Sequence, residues 1–77
     1  MKNVIIYSTP TCHFCHMAKD FFKENDIEFT DYDVSVDTLK RQEMVEKTGQ
    51  MGVPVIQIGD SLVVGFDQGH IRQLLEL

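Results

Sequence analysis

The sequence predicts an α/β fold: a mixed four-stranded sheet with helices on both faces, its elements in the order βαβ-α-ββα. Three observations lead there. Val4-Ile5-Ile6-Tyr7 is a β-branched run of the kind that forms a strand buried on both faces. From Cys12 the apolar period becomes helical, and it returns to alternation at Ile27. Further on, Gly59-Asp60 separates two apolar runs, a two-residue hairpin signal. Strand, helix and strand in succession demand a right-handed crossover and parallel pairing, and the hairpin adds antiparallel partners.

Taken in order, Ser8-Thr9-Pro10-Thr11 breaks the first strand and supplies turn and helix-cap chemistry. Phe14, Ala18, Phe21 and Phe22 then fall at i, i+4, i+7 and i+8, one helical stripe, with Lys19, Asp20, Lys23 and Glu24 outside it. Asn25-Asp26 ends that helix. Ile27 and Phe29 alternate with polar neighbours, and Tyr32 and Val34 follow, so a second strand exposed on one side is expected. Ser35 or Asp37 is placed to cap a second helix running through Lys47, with Gly49 where a left-handed stop is wanted. Its apolar residues are few: Leu39, Met44 and Val45. Pro54-Val55-Ile56-Gln57-Ile58 and Ser61-Leu62-Val63-Val64 form the hairpin arms. Asp67 caps a short last helix whose Ile71, Leu74 and Leu75 face the sheet.

A length of 77 residues predicts one domain, 1–77, with a modest core. The net charge of −5 speaks against a nucleic-acid or anionic-membrane partner, because neither has a basic face to meet. The opening residues are too short and too soon polar for a signal peptide, which points to the cytoplasm. There, two cysteines are expected to be catalytic or metal-binding, and a 12–15 disulfide closes too small a loop to be a useful staple.

Cys12-His13-Phe14-Cys15-His16 spells three chemistries. Covalent haem attachment belongs to exported chains, and a haem stacked here would compete with the core that Phe21 and Phe22 must form. Zinc needs four ligands, and beyond this stretch His70 is the only imidazole and no second cysteine pair exists. The dithiol reading needs only what is present. A thiolate, not a thiol, attacks a disulfide, and the unpaired N–H groups and dipole of a helix start stabilise that charge. An ordinary cysteine titrates near ~8.5, whereas helix-start cysteines of this motif fall from ~3.5 to ~7.5. Cys12 occupies the helix start, and Cys15, one turn later, shares its face and can resolve a mixed disulfide. The dithiol is therefore the expected chemistry, with no metal.

Three blocks then carry a family resemblance: Tyr7-Ser8-Thr9-Pro10-Thr11-Cys12-His13-Phe14-Cys15, Thr48-Gly49-Gln50-Met51-Gly52-Val53-Pro54, and Val64-Gly65-Phe66-Asp67. Alone, Cys-x-x-Cys is a weak motif; the three blocks at these separations are a strong one, and over essentially its whole length the chain resembles the glutaredoxins of the thioredoxin fold. The resemblance implies strand order 2-1-3-4 and a thiol–disulfide oxidoreductase. Cys12 would be its nucleophile and Cys15 the resolving thiol. It also implies a cis Val53–Pro54 bond facing the thiols, with Val53's backbone free to pair with an added substrate strand. Glutathione, the implied reducing cosubstrate, would lie in a groove of Thr9, Phe14, Val53, Pro54, Gly65, Phe66 and Asp67. Asp67 would meet its ammonium, and the plain alternative for that residue is an N-cap. No permanent cofactor is implied, and the expected partners are glutathione and disulfide-containing proteins, acting on a monomer.

The sequence also departs from the family. The position of the usual Lys or Arg before the first cysteine holds Thr9. Gly52 replaces a Thr, Gln50-Met51 replaces a basic residue, and Val64-Gly65 replaces a glycine pair. Each change removes a partner for glutathione's glycine carboxylate. Gly65-Phe66 is similar to the small redoxins that serve ribonucleotide reductase, so a thioredoxin-reductase-type flavoprotein is the alternative reductant. A glutathione-ligated iron–sulfur carrier is the alternative outside the enzymes. His13 either tunes the Cys12 thiolate or is a solvated surface residue. His16 is expected to be a plain helix-surface residue, Tyr7 core, Phe66 groove wall, and Met17 and Met51 packing.

Overall fold

The structure, a computed structural model, describes residues 3–77. Its elements follow the expected order: β1 (Val4–Ser8), α1 (His13–Glu24), β2 (Thr30–Asp33), α2 (Thr38–Thr48), β3 (Val55–Ile58), β4 (Ser61–Val64) and α3 (Gln68–Leu75). The sheet has the order β2-β1-β3-β4. β1 runs parallel to β2 and antiparallel to β3, and β3 and β4 form the hairpin about Gly59-Asp60. This is the thioredoxin-type topology.

Alternation along β1 divides the core between the two faces of the sheet. Val4 and Ile6 point with Ile56, Ile58 and Val63 into a cluster closed by Ala18, Phe21 and Phe22 of α1 and Ile71 of α3. Tyr7 and Val55 point the other way, meeting Val34 and Met44 under α2. Leu74 and Leu75 pack against the first cluster, as their spacing predicts. Phe14 does not belong to it. The stripe drawn through Phe14 holds from Ala18 onward, but Phe14 itself is 58% exposed, and the buried place in that turn goes to Cys15.

The second strand is shorter than expected because its first residues are spent elsewhere. Asp26 adopts a left-handed conformation, with φ at 54°, and donates its N–H to the Lys23 carbonyl; Ile27 donates to the Phe22 carbonyl at 2.8 Å. Those two bonds make a Schellman closure of α1, so the N–H of Ile27 ends a helix instead of joining the sheet. Ile27 and Phe29 still bury part of their side chains in the core, which is why they alternate like strand residues.

Helix α2 is capped by Asp37, whose Oδ1 accepts the Lys40 N–H at 3.0 Å, and it ends at Gly49 with φ at 72°. Leu39 was expected on its apolar side but is 77% exposed, and only Met44 is fully buried. Polar contacts add to the docking that Met44 and Val45 provide. The Tyr7 O–H donates to Glu43 Oε2 at 2.6 Å, and Lys47 Nζ donates to the Tyr7 oxygen at 3.1 Å and to Gln57 Oε1 at 2.8 Å. Lys40 Nζ lies 4.3 Å from the centre of the Tyr32 ring.

Candidate functional site

The register brings the three sequence blocks to one end of the sheet. Tyr7 pairs with Val55 and Val55 with Val64, so the turn leaving β1, the approach to β3 and the exit from β4 lie side by side. Pro54 is joined to the third block directly, its carbonyl accepting the Gly65 N–H at 2.8 Å. Gly65 has φ at 88°, a conformation that a side chain would disfavour.

Cys12 is the N-cap of α1, with extended backbone (φ −82°, ψ 112°). Its Sγ accepts the Cys15 N–H at 3.1 Å, and its carbonyl accepts the His16 N–H at 3.2 Å. A sulfur in that position receives one of the donors that a helix start leaves unpaired, and it sits at the positive end of the dipole. Cys12 and Cys15 are joined as a disulfide across a Cα separation of 5.2 Å. They are unequal in access: Cys12 is partly exposed, whereas Cys15 is 0% exposed, beneath the helix's first turn. An approaching disulfide therefore meets Cys12 first. Among the described residues, no group of three or more His, Cys, Asp and Glu side chains is placed to hold a metal.

Around the pair, Thr9 accepts the Cys12 N–H on its carbonyl at 3.3 Å, closing a turn over Pro10 and Thr11. Phe14 stands out from the first turn of α1, its ring centre 5.6 Å from that of His13 in a T-shaped arrangement. The Val53–Pro54 bond is cis; Pro54 is buried, and Val53 packs partly into the Tyr7 cluster. Phe66 leans on Phe21, ring centres 5.9 Å apart, with part of its surface open. Asp67 is exposed and caps α3, its Oδ1 accepting the His70 N–H at 3.2 Å. One oxygen of that carboxylate is thus engaged in capping and Oδ2 is left for another partner.

Three features escaped the sequence reading. Met51 and Met17 are expected to pack, but Met51 is 59% exposed beside α2 and Met17 is exposed on α1. Gln50 folds its amide back onto the loop: Oε1 accepts the Gly52 N–H, and Nε2 donates to the Gly52 carbonyl at 3.2 Å. Glycine at 52 makes room for this, since a Cβ there would lie 2.7 Å from Gln50 Oε1. His16 is not idle either. Its Nε2 lies 2.7 Å from the Pro10 carbonyl. A helical side chain leans toward the helix N-terminus, so a residue four after the N-cap covers the turn before it, and that spacing was the available signal.

Under the α2 face of the sheet, burial and the Glu43 carboxylate push the Tyr7 hydroxyl well above its ordinary range. Conversely, the hydrogen bond from Tyr7 holds the Glu43 carboxyl below its ordinary value, with Lys47 and Lys40 acting in the same direction.

Known proteins place this geometry. The glutaredoxin family model matches residues 4–63. An uncharacterised glutaredoxin-like protein of 8.6 kDa from a rubredoxin operon of Clostridium pasteurianum is 44% identical, over 92% of this chain and 95% of its own. Glutaredoxin 3 of Escherichia coli K12 is 34% identical over 87% of this chain and 81% of its own. Among solved structures, a mutant of a thioredoxin-like protein superposes with a TM-score of 0.91 at 29% identity, covering 99% of this chain and 97% of its own. With both cysteines of its Cys-x-x-Cys pair at a helix start, the chain belongs to the glutaredoxin family and is a thiol–disulfide oxidoreductase working through Cys12 and Cys15.

Proposed function

We propose that the chain, a single domain acting as a cytoplasmic monomer, reduces protein disulfides and glutathione mixed disulfides with glutathione as its reductant. The observation that carries this is Cys12 at the N-cap with the Cys15 N–H on its sulfur, beside the cis-proline loop. Cys12 thiolate attacks one sulfur of the substrate disulfide, forming a mixed disulfide and expelling the other sulfur as a thiolate. Cys15 then gives up its proton and attacks Cys12 Sγ; the substrate's second sulfur leaves as a thiolate that takes a proton from water, and the 12–15 disulfide remains. Two glutathione molecules return it to the dithiol and leave as glutathione disulfide. Val53 offers backbone groups to the substrate, Thr9, Phe14, Pro54, Gly65 and Phe66 wall the groove, and Asp67 faces an ammonium.

One observation favours a second reductant, a flavoprotein of the thioredoxin-reductase type. Residues 49–59 and 61–66 carry no charged side chain, and Lys47 and Lys40 are engaged by Glu43, Tyr7, Gln57 and Tyr32. Glutathione's carboxylates thus gain no cation from those two loops, whereas a protein surface does not need one. The deciding experiment follows the oxidised protein with glutathione plus glutathione reductase, against thioredoxin reductase plus NADPH. Rapid reduction by the first supports the proposal, and reduction by the second alone overturns the glutathione assignment. In parallel, Cys12→Ser abolishes all turnover, and Cys15→Ser abolishes protein-disulfide reduction while leaving some deglutathionylation. Loss of both activities in Cys15→Ser contradicts the division of roles.

A further inference from the structure

We propose that His16 is a positioning residue for Cys12: it holds the turn that presents the attacking sulfur, through a hydrogen bond from its ring to the Pro10 carbonyl. The inference rests on Cys12 being the attacking thiol.

Thr11, a β-branched residue without positive φ, sets the form of the turn from Thr9 to Cys12, but few contacts hold it in place. Its own bond, from the Cys12 N–H to the Thr9 carbonyl, is 3.3 Å long, at the weak end of the usual range. Pro10 has no N–H to donate, and Pro10 and Thr11 are both exposed. The peptide between Pro10 and Thr11 is the middle one of that turn; the type II alternative would need a positive φ at the β-branched Thr11, so a contact to its carbonyl restrains the tilt of the peptide and does not choose its turn type. The His16 ring, 2.7 Å from that peptide's carbonyl, restrains that tilt. Because a trans peptide is planar with its C=O and N–H opposed, the same contact turns the Thr11 N–H away from the helix.

His16 also grips Cys12 from the other side. Its backbone N–H donates to the Cys12 carbonyl at 3.2 Å, so one residue is bonded both to Cys12 and to the turn leading into it. The Cys12 backbone lies between those two points, and the sulfur's place over the Cys15 N–H depends on it. A carbonyl only accepts, so the Nε2 of His16 carries the hydrogen. One neutral tautomer and the imidazolium both supply that donor. Loss of the ring donor loosens the Pro10–Thr11 peptide within its turn, spreads the positions of Cys12, and weakens the stabilisation of its thiolate.

The test compares wild type with His16→Phe, which keeps a ring without a donor, and His16→Gln, whose amide can donate to the same carbonyl. Alkylation of the reduced protein is followed against pH, the modified cysteine is mapped by mass spectrometry, and the 12–15 potential and thermal midpoint are measured alongside. The expected result is a rise in the Cys12 pKa of at least about half a unit in His16→Phe, a threefold change in its ionisation constant. The potential becomes more reducing, while His16→Gln stays near wild type. A Cys12 adduct whose pH profile and potential are unshifted in His16→Phe overturns the inference alone, whatever the thermal midpoint does. Equal shifts in both variants overturn it too, because the donor is then irrelevant. An adduct that maps to Cys15 removes the assignment of Cys12 as attacking thiol, and the inference with it.

Discussion

Tyr7→Phe isolates the polar contact that helps to dock α2. The substitution removes one oxygen from a residue with 0% exposure, leaving the ring and its packing against Val34, Met44 and Val55 in place. It removes the 2.6 Å bond to Glu43 and the 3.1 Å bond from Lys47. Hydrogen bonds to charged groups contribute roughly 1.5–3 kcal/mol each when no water can replace them. Here the Glu43 and Lys47 side chains are 36% and 35% exposed, so water takes over part of both contacts. The expected loss is about 1–1.5 kcal/mol at neutral pH, a fall of roughly 4–10 °C in Tm for a domain of this size.

The loss depends on pH in a definite sense. Glu43 titrates lower in the folded state than its ordinary value of 4.5, chiefly because Tyr7 donates to it. Its stabilising contribution is therefore complete above the unfolded value and disappears as pH falls through the folded one. Wild type loses that contribution in acid, whereas Tyr7→Phe has less of it to lose, so the gap between them narrows below about pH 4.5. Urea unfolding of both proteins at neutral pH and in acid, with Glu43→Gln to complete a double-mutant cycle, measures this. A gap that stays constant with pH, or a coupling energy near zero, refutes the reasoning.

Asp67→Ser separates capping from charge recognition: it retains an N-cap oxygen, so Tm holds, while KM for glutathione mixed disulfides rises several-fold. An unchanged KM would reduce Asp67 to its cap, and Asp67→Ala would then cost only the cap, ~1 kcal/mol in chemical denaturation. Gly52→Thr displaces the Gln50 amide, the end of a flexible side chain, and should destabilise the protein by only about 0.5–1 kcal/mol, the worth of the Gln50–Gly52 hydrogen bonding it loses. The penalty shrinks in the Gln50→Ala background, and additivity of the two substitutions would dismiss the clash. His13→Pro raises the pKa of Cys12 and makes the 12–15 potential more reducing; a thiol titration without change removes His13 from thiolate tuning.

What the sequence disclosed, and what it hid, follows the range of the forces involved. The Gly59-Asp60 hairpin, the caps at Asp37 and Asp67 and the stop at Gly49 are written in adjacent residues, and all appear in the structure where they were expected. So is the helix start at Cys12, because a cap is a local event. The polar part of the docking of α2 was hidden: it depends on Tyr7 meeting Glu43 across 36 positions, which no periodicity encodes. Counting apolar residues instead overvalued Leu39. Ile27 misled for a different reason, since its side chain belongs to the core while its N–H belongs to the end of α1. At the site, the cysteine pair and the meeting of the three loops at one end of the sheet were legible from motif spacing. The Gln50–Gly52 contact and the His16–Pro10 bond were not, because each joins a side chain to a backbone group whose orientation only the folded turn decides.

The burial of Cys15 bears on how the protein survives oxidants. A peroxide that reaches the first turn of α1 finds Cys12 and converts its thiolate to a sulfenic acid, while Cys15 is shielded. The sheltered thiol then lies close enough to condense with that sulfenic acid, releasing water and forming the bond already seen between them at a Cα separation of 5.2 Å. Closure pre-empts the further, irreversible steps to sulfinic and sulfonic acid. The same disulfide that ends each turnover is thus a refuge from which any reductant of the catalytic cycle recovers the protein, and replacing Cys15 takes that refuge away.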